Sequence, residues 1–148
     1  MKNKTCVFCD IVNGEAPASI IYQDELCTAF MDLFPIKTGH ALVIPNHHAA
    51  LLEELDNNLR CHLFEVAHKI LLAQKKTGIP CEATNIVVND GKAANQHVPH
   101  VHVHVLPRTG GDTGVVGWNV ATRMFNVFGL ASRRKQLDKL AKALAEQL

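Results

Sequence analysis

Three histidines alternate with valines in one short segment, His100-Val101-His102-Val103-His104. Successive side chains of a strand point to opposite faces, so the three imidazoles are expected on one face, about 7 Å apart, with the valines on the other. Imidazole titrates near neutral pH and can serve as a nucleophile, a general acid or base, or a metal ligand. The pattern therefore predicts either covalent catalysis by a histidine or a metal site built from the row.

Amides and a glycine turn precede this row. The segments Asn89-Asp90-Gly91 and Asn95-Gln96-His97 offer side-chain amides and backbone N–H groups, which stabilise the negative oxygens of a transferring phosphate. The nearest carboxylates, Asp90 and Asp112, do not adjoin the row in sequence. Phosphoryl transfer to a neutral imidazole is therefore favoured. A zinc-dependent hydrolase stays open as an alternative, because folding can bring distant carboxylates to the histidines.

The chain has five cysteines, an odd number, and its first residues contain no apolar stretch typical of an export signal. Reduced thiols or metal ligation are therefore expected rather than a disulfide framework. Cys6 and Cys9 form a Cys-x-x-Cys pair, which by itself fits half of a zinc site or a redox pair. Cys27, Cys61 and Cys81 lack metal-binding spacing and are interpreted as ordinary buried or partly buried thiols.

The composition is that of a globular protein with a near-neutral surface. Hydrophobic residues make up 47% of the 148 positions, and 15 Lys and Arg against 14 Asp and Glu leave a net charge of +1. Such a balance argues against nucleic acid or an anionic membrane as a partner. No apolar run approaches the roughly 20 residues that span a bilayer. A cytoplasmic protein is predicted.

The elements that must position these residues indicate an α+β fold. Strands are predicted over 19–22, 26–31, 40–44, 85–89 and 100–106, and a long helix runs from a cap at Asp56 or Asn57 to Gly78. The order predicts a mainly antiparallel sheet with one long central helix and a C-terminal helix. Residues 1–18 and the glycine-containing segment 109–117 are expected to be irregular.

The last predicted element is a helix capped by Ser132. Its apolar stripe is expected to pack on the protein's own sheet, with a second subunit as the alternative. Trp118 is expected to pack beneath this helix, and the alternative is a place beside the leaving group of a substrate.

The histidine segment, continued through Leu106-Pro107-Arg108, resembles the signature of the histidine triad (HIT) family of nucleotide hydrolases and transferases. The opening from Cys6 through Glu15 with Pro17, the block Ala29-Phe30-Met31-Asp32 and the block from Gly39 to Pro45 resemble further family segments. The resemblance covers roughly residues 6–108, which we expect to be the catalytic core. With the loop and helix of 109–148 it predicts a single HIT-like domain over 1–148.

The resemblance implies a hydrolase that attacks the α-phosphate of purine nucleoside phosphoramidates of the AMP type. His102 would be the nucleophile that forms a covalent nucleotidyl intermediate, His104 would lie beside the bridging atom, and His100 and His40 would orient the row. By the same resemblance, Asp32 would hold the ribose hydroxyls, and Asn89 and Gln96 would hold phosphate oxygens. Phe8, Ile11 and Phe30 would contact the base. Asn95 and His97 stand where family members often have Gly and a hydroxyl residue, so the leaving group stays open.

The family opening is also similar to that of related uridylyltransferases, which implies a structural zinc site. Its ligands would be Cys6, Cys9, His48 and His100, with His47 as a substitute for His48, and the chemistry would need no metal. The resemblance further implies a homodimer. Two other functions stay open, a dinucleoside polyphosphate hydrolase of the same family and a nucleotide-binding or scaffolding protein with little turnover.

Overall fold

Five short apolar segments form an antiparallel sheet in the computed structural model, which describes residues 6–125 and 127–148. The strand order is β1-β2-β3-β5-β4, and every neighbouring pair is antiparallel. The predicted α+β class is thereby confirmed. The strands are β1 Ile20–Gln23, β2 Cys27–Met31, β3 Ala41–Pro45, β4 Ala83–Val88 and β5 Val103–Arg108.

A long helix, α2 (Asn57–Lys76), covers one face of the sheet. The Asp56 carboxylate accepts a hydrogen bond from the Leu59 N–H at 2.8 Å and so caps the helix at the predicted position. The apolar side of α2 packs on β3 and β5 and forms the main core with them. Gly78, with φ +75°, follows the helix and adopts the left-handed conformation that glycine tolerates best.

The C-terminal helix is α4 (Leu130–Ala145). Its buried residues, Leu137, Ala141 and Leu144, pack against β1, β2 and α2, so the stripe covers the protein's own sheet as expected. The predicted cap at Ser132 is wrong. The N-cap is Gly129, three residues earlier, because Gly129 turns the chain at φ +70° and its carbonyl accepts the first helical hydrogen bond, from the Arg133 N–H.

The expectation of an irregular N-terminus is wrong for residues 7–12, which form a short helix, α1 (Val7–Val12); residues 1–5 lie outside the described residues. Phe8 of this helix is buried, and it packs with Phe30 and Leu42 on the face of the sheet opposite α2. The burial of one aromatic side chain explains why so short a helix forms without strong helical periodicity in its sequence.

The glycine-containing segment is also more ordered than predicted, because α3 (Thr113–Thr122) includes two of its four glycines. Glycine in a helix costs only about 1 kcal/mol relative to alanine, so it weakens a helix without excluding one. Ion pairs of Asp112 with Lys37 and Arg108 fix the turn before α3. Trp118 is 70% exposed, so the expectation that it packs beneath the C-terminal helix is wrong.

Three single turns of 3-10 helix complete the described elements: Leu52–Glu54 before α2, Lys92–Ala94 in the loop after β4, and Arg123–Phe125 after α3. Among the described residues, no helix has both the length and the apolar character needed to cross a membrane.

Candidate active site and metal cluster

The histidine segment lies at the start of β5, on the face of the sheet that α1 covers. The strand begins at Val103 rather than at residue 100, because the Val101 N–H donates to the Ala49 carbonyl and the His100 N–H to that of Val98. The alternation nevertheless holds. Val101 and Val103 are in the main core, whereas the rings of His102 and His104 lie on the other face and meet edge to face, with centroids 4.9 Å apart.

His102 is held in one tautomer. Its Nδ1 lies 2.7 Å from the carbonyl oxygen of His100, and a carbonyl can only accept, so Nδ1 carries the hydrogen. In the neutral ring, Nε2 then keeps its lone pair. Burial lowers the pKa of His102, although the hydrogen bond to the His100 carbonyl acts in the opposite direction. The lowered pKa favours the neutral form of the ring at pH 7. The residue is 6% exposed. Nε2 of His102 therefore has the electronic state of a nucleophile.

A second pair of histidines forms a chain of hydrogen bonds. The Ile36 N–H donates to His40 Nδ1 at 3.2 Å, so His40 carries its proton on Nε2, which lies 2.9 Å from His104 Nδ1. His104 then carries its hydrogen on Nε2. That nitrogen is buried and has no hydrogen-bond partner within the described parts of the chain. The arrangement offers one N–H donor to a group bound beside His102.

Burial keeps this histidine pair neutral. It lowers the pKa of both His40 and His104 to about 3, aided at His40 by the Arg123 guanidinium and at His104 by His40. The Asp32 carboxylate, which acts in the opposite direction at His104, does not reverse the effect. Since unfolding restores a pKa near 6.5, the unfolded chain binds more protons, and the pair's contribution to stability is lost as pH falls from about 6.5 toward 3.

We predict that the rings of His40 and His104 stay neutral at pH 5. Two-dimensional NMR of the ring nitrogens distinguishes the neutral tautomers from the doubly protonated ring. A doubly protonated spectrum for either residue at pH 5, in the folded protein, would contradict the assigned hydrogen-bond chain. As the pH falls from about 6.5 toward 3, each of these two histidines is expected to lower the free energy of unfolding by up to about 1.4 kcal/mol per pH unit.

Asp32, 4% exposed, connects this pair to the C-terminal part of the chain. One carboxylate oxygen accepts from the Phe34 N–H at 2.9 Å. The other accepts from Arg123 Nη2 at 2.7 Å and lies 3.5 Å from His40 Nδ1. Sequence reasoning missed Arg123, since it lies outside the segments that resemble the family and no motif marks it. Only the folded chain brings it to Asp32, 91 positions earlier.

Of the two amide side chains predicted to bind phosphate, one directly follows a strand and the other lies in the loop before the histidines. Asn89 is half-buried and directly follows β4. Gln96 braces the loop before the histidines: its Oε1 accepts from the Gly91 N–H at 2.7 Å and its Nε2 donates to the Ala50 carbonyl at 2.8 Å. An amide NH₂ group has two hydrogens, so Gln96 retains one for a further acceptor.

The three residues predicted to contact a base lie together beside His102. Phe8 and Phe30 are buried with ring centroids 5.5 Å apart, and Ile11 packs against the same cluster. The Phe8 ring also contacts the His102 ring edge to face, with centroids 5.3 Å apart. The structure thus places an apolar surface next to the candidate nucleophile.

The structure brings Cys6, Cys9, His48 and His100 into one cluster, with their four ligand atoms all within 4.8 Å of one another. Cys6 Sγ lies 3.4 Å from His100 Nδ1, and Cys9 Sγ lies 3.4 Å from His48 Nδ1. Tetrahedral zinc with Zn–S near 2.3 Å and Zn–N near 2.0 Å separates neighbouring ligand atoms by about 3.6 Å, so the donors fit that ion.

Hydrogen bonding orients the cluster for ligation. His100 Nε2 lies 2.9 Å from the Pro45 carbonyl, which fixes the proton on Nε2 and leaves Nδ1 toward the thiols. His47 is exposed and lies outside the cluster, so of the two neighbouring histidines the fold selects His48.

A second polar group contains Cys27, which the sequence predicts to be an ordinary thiol and which is buried. Its sulfur lies with Asp24 and His62, but the Asp24 carboxylate already accepts from Tyr22, from two backbone N–H groups and from His62. Burial raises the pKa of Cys27 to about 12, so it stays a thiol. Cys61 is exposed, which corrects the expectation of burial for that residue.

The chain is similar to known proteins over most of its length. A family model described as the HIT domain matches residues 13–111. Adenosine 5′-monophosphoramidase hnt1 of Schizosaccharomyces pombe is 37% identical over 115 residues, covering 77% of this chain and 83% of that protein. Adenylylsulfatase HINT3 of Arabidopsis thaliana is 38% identical over 104 residues, covering 70% of this chain and 52% of that protein.

A solved structure is similar over nearly the whole length. The crystal structure of a Zn-bound histidine triad family protein from Mycobacterium smegmatis superposes with a TM-score of 0.78 at 34% identity, covering 97% of this chain and 93% of that one.

Proposed function

The chain belongs to the HIT domain family, and from that premise we propose that it hydrolyses purine nucleoside phosphoramidates of the AMP type at the α-phosphate. The relatives named for cleavage of a phosphoramidate and of an adenylyl sulfate support a nucleotide hydrolase that acts on P–N or P–O bonds. The observation that carries the proposal is the tautomer of His102, whose Nδ1 is engaged with the His100 carbonyl. That bond leaves Nε2 as an uncharged nucleophile.

The proposed reaction has two displacements at phosphorus. In the first, His102 Nε2 bonds to the α-phosphorus as the P–N bond breaks, and the amine leaves with a proton from water. In the second, the hydroxide so formed attacks the phosphorus and the P–Nε2 bond breaks, which releases the nucleoside monophosphate and restores neutral His102. His104 Nε2 donates a hydrogen bond to the bridging atom. Two inversions predict net retention of configuration.

We propose the remaining roles from the family resemblance, supported by the positions of several side chains. We propose that His40 orients His104 and that His100 orients His102, through the bonds described above. Asp32 would receive the ribose hydroxyls in exchange for part of its contact with Arg123. Asn89 and Gln96 would hold phosphate oxygens. Phe8, Ile11 and Phe30 would contact the base, which their proximity to His102 supports.

A structural zinc ion is proposed at Cys6, Cys9, His48 and His100, with no metal required for the chemistry. Bound there, zinc would tie α1 to the segment before β5. His102 supports the separation of the structural metal site from the reacting group. It lies outside the cluster, and its Nδ1 is engaged with a backbone carbonyl. All five cysteines are unpaired, which suits a reducing compartment, and we infer a cytoplasmic location.

Substrate choice and metal dependence test the proposed function together. Adenosine and guanosine substrates with amine, sulfate or nucleotide leaving groups would be assayed with and without a chelator. We expect adenosine and guanosine phosphoramidates to be cleaved fastest, and activity to survive chelation for as long as the protein stays folded. Faster cleavage of dinucleoside polyphosphates would favour the alternative from the same family. Immediate loss of activity in folded protein would favour a zinc-dependent hydrolase, and no turnover of any substrate would favour a nucleotide-binding protein.

We further propose that residues 1–148 form one domain, with the catalytic core at about 6–108, and that two such chains form a homodimer. The packing of α4 on β1 supports a single domain.

The homodimer is supported by β4, an edge strand that pairs only with β5 in the described sheet. The free edge of such a strand can pair with a second chain. Sedimentation equilibrium should give twice the 16.3 kDa of one chain; a monomer mass at micromolar concentration would contradict it.

A further inference from the structure

A cavity of about 180 Å³ lies between the loop that follows β2 and the C-terminal part of the chain. Liquid water occupies roughly 30 Å³ per molecule, so the space is large enough for a phosphate group. The residues around it are two arginines, an amide, a hydroxyl and two apolar side chains: Arg123, Arg133, Asn119, Thr122, Phe34 and Pro35. None of these six residues is acidic.

Arg123 links this cavity to the candidate active site. Its Nη2 donates to the Asp32 carboxylate at 2.7 Å, and the same carboxylate oxygen lies 3.5 Å from His40 Nδ1. The Nε atom of Arg123 is buried and has no acceptor among residues 6–125 and 127–148. Leaving a buried donor unpaired is unfavourable, so a bound acceptor at this position would stabilise the protein.

Arg133 is the second cation, and the fold orients it toward the same space. Its guanidinium carbon lies 5.7 Å from the centroid of the Phe34 ring, and Nη1 donates to the Leu33 carbonyl at 3.4 Å. Together with Arg123 it places two guanidinium groups around the cavity. Planar guanidinium groups match the oxygens of phosphate, and paired arginines are a common means of binding it.

We propose that this cavity is a subsite for a second phosphate group of the nucleotide substrate, distinct from the α-phosphate that His102 attacks. The inference rests on the proposed function in one respect, that the nucleotide binds along Asp32. Two parts of a nucleotide can carry such a group: the ribose 2′- or 3′-oxygen, or the phosphate chain beyond the α-phosphate. Both present the same chemistry to the arginines, and they are separated by experiment.

Binding to wild-type protein gives the first test and requires no turnover. Isothermal titration would compare AMP with adenosine 3′,5′-bisphosphate, adenosine 2′,5′-bisphosphate and ADP. Charge-assisted hydrogen bonds to a phosphate predict that at least one of the three binds about 10- to 100-fold more tightly than AMP. A preference for a bisphosphate assigns the ribose oxygen, and a preference for ADP assigns the phosphate chain. If none binds more tightly than AMP, the proposal is overturned.

Substitution then tests whether the arginines cause the preference. The quantity compared is the affinity for the preferred ligand divided by the affinity for AMP. Arg123→Gln and Arg133→Gln should each reduce this ratio to below about threefold, and Arg123→Lys should keep part of the preference. Arg134→Gln is the matched control, because Arg134 bonds to Pro17 and Ser19 away from the cavity, and its ratio should equal that of wild type. A ratio unchanged in both glutamine variants would overturn the proposal, whereas absence of phosphoramidate cleavage would overturn only the proposed function.

Discussion

Replacement of His102 by alanine is expected to lower the turnover of an adenosine phosphoramidate by about 1,000-fold or more, because it removes the atom that bonds to phosphorus. Asparagine at this position should have the same effect, since an amide is not a competent nucleophile. AMP binding should persist in both variants. The base is proposed to rest on Phe8 and Phe30 and the ribose on Asp32, and none of these contacts requires His102 Nε2.

The covalent step can be observed directly. Rapid quenching in an alkaline denaturant preserves the acid-labile P–N bond of a nucleotidyl-histidine. With a substrate labelled in the nucleotide, it should leave label on the wild-type chain and none on His102→Ala. His68→Ala is the matched control, because His68 is exposed on α2 and should be replaceable without loss of turnover or stability. Turnover near the wild-type rate in His102→Ala, or label that persists in it, would refute the assignment of the nucleophile.

Substitution of Cys6 by serine is the second change with a large expected effect, here on stability. Serine is a much weaker zinc ligand than cysteine thiolate, so the variant should lose the proposed metal ion and with it the link between α1 and His100. Loss of several kcal/mol of metal binding should lower the melting temperature by roughly 10 °C or more. Calorimetry measures this shift, and elemental analysis of the purified protein should give one zinc per wild-type chain and none in the variant.

The rate per folded molecule separates a structural ion from a catalytic one. Below its melting temperature, Cys6→Ser should retain turnover within about threefold of wild type, because His102 lies outside the cluster and is oriented by a backbone carbonyl. Cys61→Ser serves as the control, since Cys61 is an exposed thiol on α2. A variant that melts like wild type but has lost its turnover would show that the metal acts in the reaction.

The fold class was predictable because its signals are local. The spacing of Leu63 and Ile70 on one helical face and the cap at Asp56 require only neighbouring residues, and the structure contains that helix as α2. Two predictions of irregular structure failed, for different reasons. The helix α1 forms because Phe8 is buried against the sheet, a tertiary contact that outweighs a weak local preference. None of the residues of α3 is buried, and α3 forms despite its glycines because glycine weakens a helix without excluding one.

By itself, the sequence determined which chemistry is available: alternation in one strand directs the histidines to one side and the valines to the core. The spacing of Cys6 and Cys9 in the sequence likewise identified them as a pair. Only the tertiary structure decided that His48, and not His47, joins those cysteines, that His40 lies against His104, and that Arg123 reaches Asp32. These contacts join residues 39 to 91 positions apart, and no spacing rule reaches so far, because packing of the whole chain sets their separation.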